Sequence, residues 1–289
     1  MAIVIESTST NQTASSGAVN SLTITKPSGL VEGELLVAVL GAGDNGSTPG
    51  PDINTLSGWT AVSADSDSSS ASIQYKFANS GDVAASNFTF TCANNTDVMA
   101  GTLLRVSGTE NEGALGGSIT NAQSTPADPD VASFTGSATP LRNSSLVVLA
   151  IAGGGLSATT SGYNSTPTVT YTELHDYNGG LNAVSAGAYG TLATAGEITA
   201  FGATFSSNVS NSHSGVLAVF NPNLPSAGTV ATVITDSELY SPDALADSFV
   251  TAPLVLTDSE TNDAQGKGTA PTQWTNESAP TTTWTNESV

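Results

Sequence analysis

Positive charge is what this sequence has least of. Lys26, Lys76, Arg105, Arg142 and Lys267 stand against 25 Asp and Glu, for a net charge of −20. A chain this acidic cannot gain affinity for a nucleic-acid backbone by releasing its counterions, and an anionic membrane repels it. Charge of either sign is also scarce, at 10% of residues where about 25% is usual. Lys and Glu are the common residues of exposed helical faces, so their shortage argues for β-structure with a surface of Ser, Thr, Asn and Gly. One cysteine, Cys92, excludes an intrachain disulfide framework and any Cys-based metal site. It lies in the alternating run FTFTCANN, where a buried, inert thiol is expected. No stretch approaches the ~18 apolar residues of a membrane span. The opening MAIVIESTST has neither the basic start nor the apolar run of a secretory signal, so synthesis in a cytoplasm is expected.

Catalytic groups are equally few. His175 and Asp176 are adjacent in ELHDYNGG, and neighbours on a strand point to opposite faces, so they form no dyad. His213 lies in the turn-like run NVSNSHSG with no carboxylate nearby in sequence. No Gly-x-Ser-x-Gly or phosphate-binding glycine loop is present. The expectation is a protein without enzymatic chemistry and without a cofactor. Calcium is the alternative, with Asp65 and Asp67 in SADSDSSS and Asp128 and Asp130 in PADPDV as its candidate ligands. Neither pair has the full spacing of a calcium loop, so both read first as solvated loop charge. Trp59 in LSGWTAV reads as a core tryptophan at a sandwich end, and alternatively as a platform for stacking a glycan.

What the sequence does contain is many short apolar runs between Gly, Ser, Asn and Asp clusters. SLTITKP and NFTFTCA alternate with period two, as half-buried antiparallel strands do; ELLVAVLGAG and SSLVVLAIAGGG are solid, as strands buried on both faces are. No amphipathic helix of ten or more residues is visible. The strand types also recur in order. Leu35–Gly43 matches Leu146–Gly155 at an offset of 111, the run from Gly58 matches that from Thr170 at 112, and the run from Gly101 matches that from Gly215 at 114. These features predict an all-β, jelly-roll-like sandwich built from two duplicated halves, residues 1–109 and 110–222, each offering an apolar sheet face to the other; the alternative is two separate small sandwiches joined near STPADPD.

Residues 223–289 differ in character. Thr235-Asp236-Ser237-Glu238 recurs as Thr257-Asp258-Ser259-Glu260, and Trp274-Thr275-Asn276-Glu277-Ser278 as Trp284-Thr285-Asn286-Glu287-Ser288. A Pro/Thr-rich segment has no core for two tryptophans, so it is expected to be an extended C-terminal arm with Trp274 and Trp284 as interface anchors. Repetition suits equivalent sites on a symmetric partner made of copies of the chain, for which a trimer is expected.

TITKPSGLVEGELLVAVL, SGWTAVS, SIQYKFANSGDVAASNFTFT and AGTLLRVSG together resemble the β-sandwich module of tailed-bacteriophage virion proteins, over most of residues 20–221. The Thr-Asp-Ser-Glu copies are similar to peptide repeats that follow such modules in phage tail and surface proteins. The resemblance implies a non-enzymatic structural protein on the virion surface whose partners are other virion proteins and copies of itself. It assigns no functional residues. Without a helical or coiled-coil shaft, a capsid decoration or cement protein is expected ahead of a tail or tail-fibre adhesin that contacts a host surface glycan. A free carbohydrate-binding module is the third reading.

Overall fold

The computed structural model describes residues 3–45, 51–110, 114–123, 131–154, 158–178, 183–206 and 212–223. In chain order these form β1 (Val4–Thr25), β2 (Leu35–Gly43), β3 (Thr60–Asp65), β4 (Ser69–Phe77), the short helix α1 (Ser80–Ala84), β5 (Asn87–Ser107), β6 (Leu115–Gln123), β7 (Val131–Ala138), β8 (Ser145–Gly154), β9 (Thr160–Thr166), β10 (Tyr171–Tyr177), β11 (Ala183–Leu192), β12 (Ile198–Phe205) and β13 (Ser212–Phe220). The helix exists because Asn79 and Asp82 cap it reciprocally, each side chain accepting the other's backbone N–H.

Duplication is visible in the topology. One sheet runs β1-β5-β2-β4-β3 and the other β6-β13-β8-β11-β10, so each strand of the first has a counterpart at the same place in the second. Registers agree as well. Leu35 lies opposite Phe77 and Val106, and Leu146 lies opposite Thr191 and Phe220. Thr60 faces Tyr75, as Thr172 faces Tyr189. The offsets of 111, 112 and 114 found in the sequence are therefore offsets in pairing. Even an irregularity repeats: β1 slips between Ile5 and Ser7, and β6 between Leu115 and Gly117, against equivalent partners. An extra residue at one point bends the strand there in both copies.

The halves differ in how their outer layer is made. In the first, β1 and β5 are 22 and 21 residues long and serve both layers, β1 with register breaks between Ala14 and Ser21. In the second, the same paths are divided into β6 with β7 and β12 with β13, and the outer layer is a separate sheet, β7-β12-β9. The place of β9 is taken in the first half by a single bridge between Ile53 and Cys92.

The all-β sandwich expected from sequence is present, with one addition. Each half closes a core of its own, around Leu22, Phe90, Leu40 and Leu103 in the first and Phe134, Leu149, Phe201 and Leu217 in the second. A third core fills the seam between the two large sheets, from Leu35, Val37, Val39 and Ile73 to Val148 and Phe220. The stack thus has four layers. Its inner strands β2 and β8 are buried along their whole length, which is why their sequences are solid apolar runs. Outer strands keep one face in water, and Asn87, Thr89 and Thr91 alternate with buried Phe88, Phe90 and Cys92.

Candidate functional site

Polar chemistry concentrates in the seam. A register slip between Glu173 and His175 in β10 brings Leu174 against the seam core and turns His175 inward. His175 is 6% exposed. Its Nδ1 is 3.0 Å from Thr102 Oγ1 of the first half, and its Nε2 is 3.2 Å from Ser185 Oγ. Ser185 donates its proton to Ala100 O at 3.2 Å. Nε2 must therefore carry the imidazole proton, Nδ1 accepts from Thr102, and Thr102 in turn accepts from Thr10, 2.9 Å away. Burial pulls the His175 pKa down to about 4, with no charged partner to oppose it. The ring is neutral and both nitrogens are used. Asp176 points the other way, where its Oδ2 accepts from Thr160 N at 2.8 Å. His175 and Asp176 therefore form no dyad with each other, as the strand period requires.

The sheets approach closely around this ring. A Cβ on Gly187 would stand 2.7 Å from His175 Cε1 and 2.8 Å from Val39 Cγ1. Only glycine fits there. A second polar knot joins Ser66, Ser68 and Ser69 to Ser212 and Ser214: Ser68 Oγ is 2.7 Å from Ser212 Oγ, and Ser69 Oγ 2.9 Å from Ser214 Oγ. Each buried hydroxyl has a partner across the seam, which offsets its desolvation and fixes the register of one half on the other.

The four described basic residues are also committed internally. Arg105 grips Glu34 through Nε at 2.6 Å and Nη2 at 2.8 Å, and the guanidinium holds the Glu34 carboxyl below its ordinary pKa. Lys76 Nζ lies within 2.9 Å of both Asp82 oxygens. Arg142 pairs with Glu110 and donates to Pro222 O at 2.7 Å, and Lys26 donates to Val83 O.

Trp59 is a core residue, 7% exposed, with its ring edge-on to Phe88 at 5.5 Å and Phe90 at 5.6 Å. The ring is buried in the first-half core, which is the first of the two readings the sequence offers. Asp65 and Asp67 sit at the exposed β3–β4 turn. Asp65 Oδ1 accepts from Ser70 Oγ, and desolvation raises its pKa against that bond, assisted by the nearby charge of Asp52. Among the described residues no three His, Cys, Asp or Glu side chains converge on a common point. Cys92 is buried, and desolvation pushes its thiol up to about 12. His213, turn-like in sequence, lies fully buried within β13 against the Phe205 ring at 5.0 Å. Asp128, Asp130, Trp274 and Trp284 lie outside the described residues. What sequence missed is the hydroxyl network of the seam. Its signal was the serines in SSASIQ, polar residues inside a run buried on both sides.

The fold and seam define a duplicated double β-sandwich whose two units are joined through a hydroxyl-studded apolar interface. A scan against protein-family models finds no match, and neither the curated proteins nor the solved structures show a relative of this chain.

Proposed function

We propose that this chain is a non-enzymatic structural protein of a tailed-bacteriophage virion, displayed on the surface as a capsid decoration or cement protein. The sequence resemblance over residues 20–221 supports the virion assignment. The observation that carries the structural role is that the described lysines and arginines, and the buried His175, are bound into the fold itself. Their chemistry holds sheets together. A rigid, acidic, duplicated block suits a component present in many copies, because like charge keeps neighbouring copies soluble until a specific contact forms. Residues 223–289 supply that contact in this reading. They form an arm whose Trp274 and Trp284 anchor on other virion proteins or on neighbouring copies in a trimer.

Quantitative mass spectrometry of purified particles tests the assignment. Decoration requires roughly tens to hundreds of copies per particle, a handful places the chain in the tail instead, and none refutes a virion role. Truncation after Pro222 is expected to leave a folded double sandwich that no longer incorporates into particles. Normal incorporation of that truncation would refute the arm.

A further inference from the structure

Strand β1 is the outermost strand of the first large sheet, and among the described residues only β5 pairs with it. Its other edge therefore presents a row of unpaired main-chain N–H and C=O groups. Asn11 closes that row at one end. Its Nδ2 donates to Thr23 O at 2.6 Å, and its Oδ1 accepts from Gln12 N at 2.9 Å. Residues 4–10 remain open, and the usual defences of an edge are thin there. The stretch has no Lys and no Pro. Its one charge, Glu6, sits at the register slip with its carboxylate accepting from Ser107 Oγ at 2.6 Å.

The apolar start of this strand is only half covered. Ile3 and Ile5 pack against the seam core from partly buried positions, and Val4 between them is 47% exposed. In the second half the same place is closed. Leu115 opposite Phe220 corresponds to Ile5 opposite Val106, which makes Ala114 the counterpart of Val4. Ala114 is 4% exposed, and its carbonyl accepts from Asn221 N at 2.8 Å. A valine thus stands uncovered where the duplicate buries an alanine.

The chain itself carries a segment of matching chemistry. It leaves the double sandwich at Asn223, whose N–H donates to Gly108 O at 2.6 Å, next to Ser107, the partner of Val4. Beyond it, residues 229–235 read TVATVIT, β-branched at every position but Ala231 and without charge or proline. The run is seven residues long, as is the open edge. Its copy 22 residues on, TAPLVLT, contains Pro253, which cannot donate, so the first run is the better strand. We propose that residues 4–10 are the receiving edge for residues 229–235 of a neighbouring copy, which join the first large sheet as one more strand. Main-chain bonds supply the affinity, and the alternating side chains of the run cover Val4 on one face and Ile3 and Ile5 on the other. Apart from Glu6 the contact brings no like charges together, which matters in a chain of net charge −20. A second β1 would offer Ser and Thr along most of its length and cover the apolar end less well. This inference rests on the reading of residues 223–289 as the contact between copies, and it names the surface they meet.

Cross-linking of the full chain tests the edge. Thr8→Cys and Thr232→Cys, on separate and differently tagged chains, are co-expressed and treated with a short bis-maleimide; the native Cys92 is buried and stays silent. Together the two chains should give a cross-linked pair, and each variant expressed alone should give none. Val4→Asp, at an exposed side chain, and Val233→Asp, within the added run, should each cut the yield of that pair about tenfold. Product from Thr8→Cys alone would mean that β1 pairs with β1, and product from Thr232→Cys alone that two arms pair with each other. Either result overturns the proposal, as does an absent product in the co-expressed pair or a yield that neither Asp variant lowers. If truncation after Pro222 abolishes particle incorporation while no such product forms, only this receiving edge is wrong. Normal incorporation of the truncated chain would remove the arm and the edge together.

Discussion

A neutral histidine locked between two sheets makes the seam sensitive to acid. The unfolded chain binds a proton at His175 near pH 6.5, whereas burial holds the folded ring neutral until about pH 4. Between those values the unfolded state binds more protons, so stability falls as pH falls, and the loss levels off below the folded pKa. At about 1.4 kcal/mol per pH unit, the difference amounts to about 2 kcal/mol at pH 5 and about 3 kcal/mol in full. Asp65 and Asp176 act in the opposite direction, because their raised pKa values favour the folded state as pH drops. The histidine contribution is therefore read as a difference between proteins. Urea unfolding of wild type and His175→Gln, at pH 7.5 and pH 5.0, isolates it. The variant should be the less stable protein at pH 7.5, and its deficit should shrink by about 2 kcal/mol at pH 5.0. Equal deficits at the two pH values would refute this account, as would a His175 Cε1 resonance in the native protein that titrates near 6.5.

Other consequences follow from single contacts. Gly187→Ala places a methyl against His175 and Val39 and should cost about 1–3 kcal/mol, seen as a fall of several degrees in Tm. Arg105→Met leaves the Glu34 carboxylate without its fork and should cost about 1–2 kcal/mol at pH 7; because Glu34 titrates low in the fold, the deficit should shrink when acid protonates it, and a pH-independent deficit would contradict the pairing. Cys92, with its thiol pushed up to about 12, should resist Ellman's reagent at pH 8 in native protein and react at once in denaturant, so rapid native labelling would place it outside the core. Residues 1–109 expressed alone would expose Leu35, Val37, Val39 and Ile73 and should self-associate through that face; a stable monomer by light scattering would mean the seam is dispensable.

Much of the fold was legible because burial imposes periods. Strands buried on both faces read as solid runs, those with one wet face alternate, and the constant offsets between runs became offsets in register. The long first strand was not legible. Its middle, STSTNQTASSGA, carries almost no apolar alternation and pairs through backbone bonds with β5 rather than through buried side chains. This explains why one shared sandwich is expected from sequence ahead of two with cores of their own: the outer layer of the first half is made by the far ends of the same two strands that form its inner sheet. The opposite faces of His175 and Asp176 followed from local geometry. The partner of His175 did not, since Thr102 stands 73 residues away and meets it only once two halves have folded and docked.

Duplication also accounts for where the chemistry of this chain is unevenly placed. Seam positions must suit both halves at once, so a change at Gly187 or Ser212 disturbs two sheets together. A closing corner belongs to one half only. In the first, Trp59 and Gln74 satisfy it and complete a core. In the second, the same backbone carries Tyr171 and Ala188, and Tyr171 packs with Tyr163 against the core of Phe134, Phe201 and Phe205. A duplicated sandwich thus shares one seam between its halves, while each closing corner packs on its own core and can differ in sequence from the other.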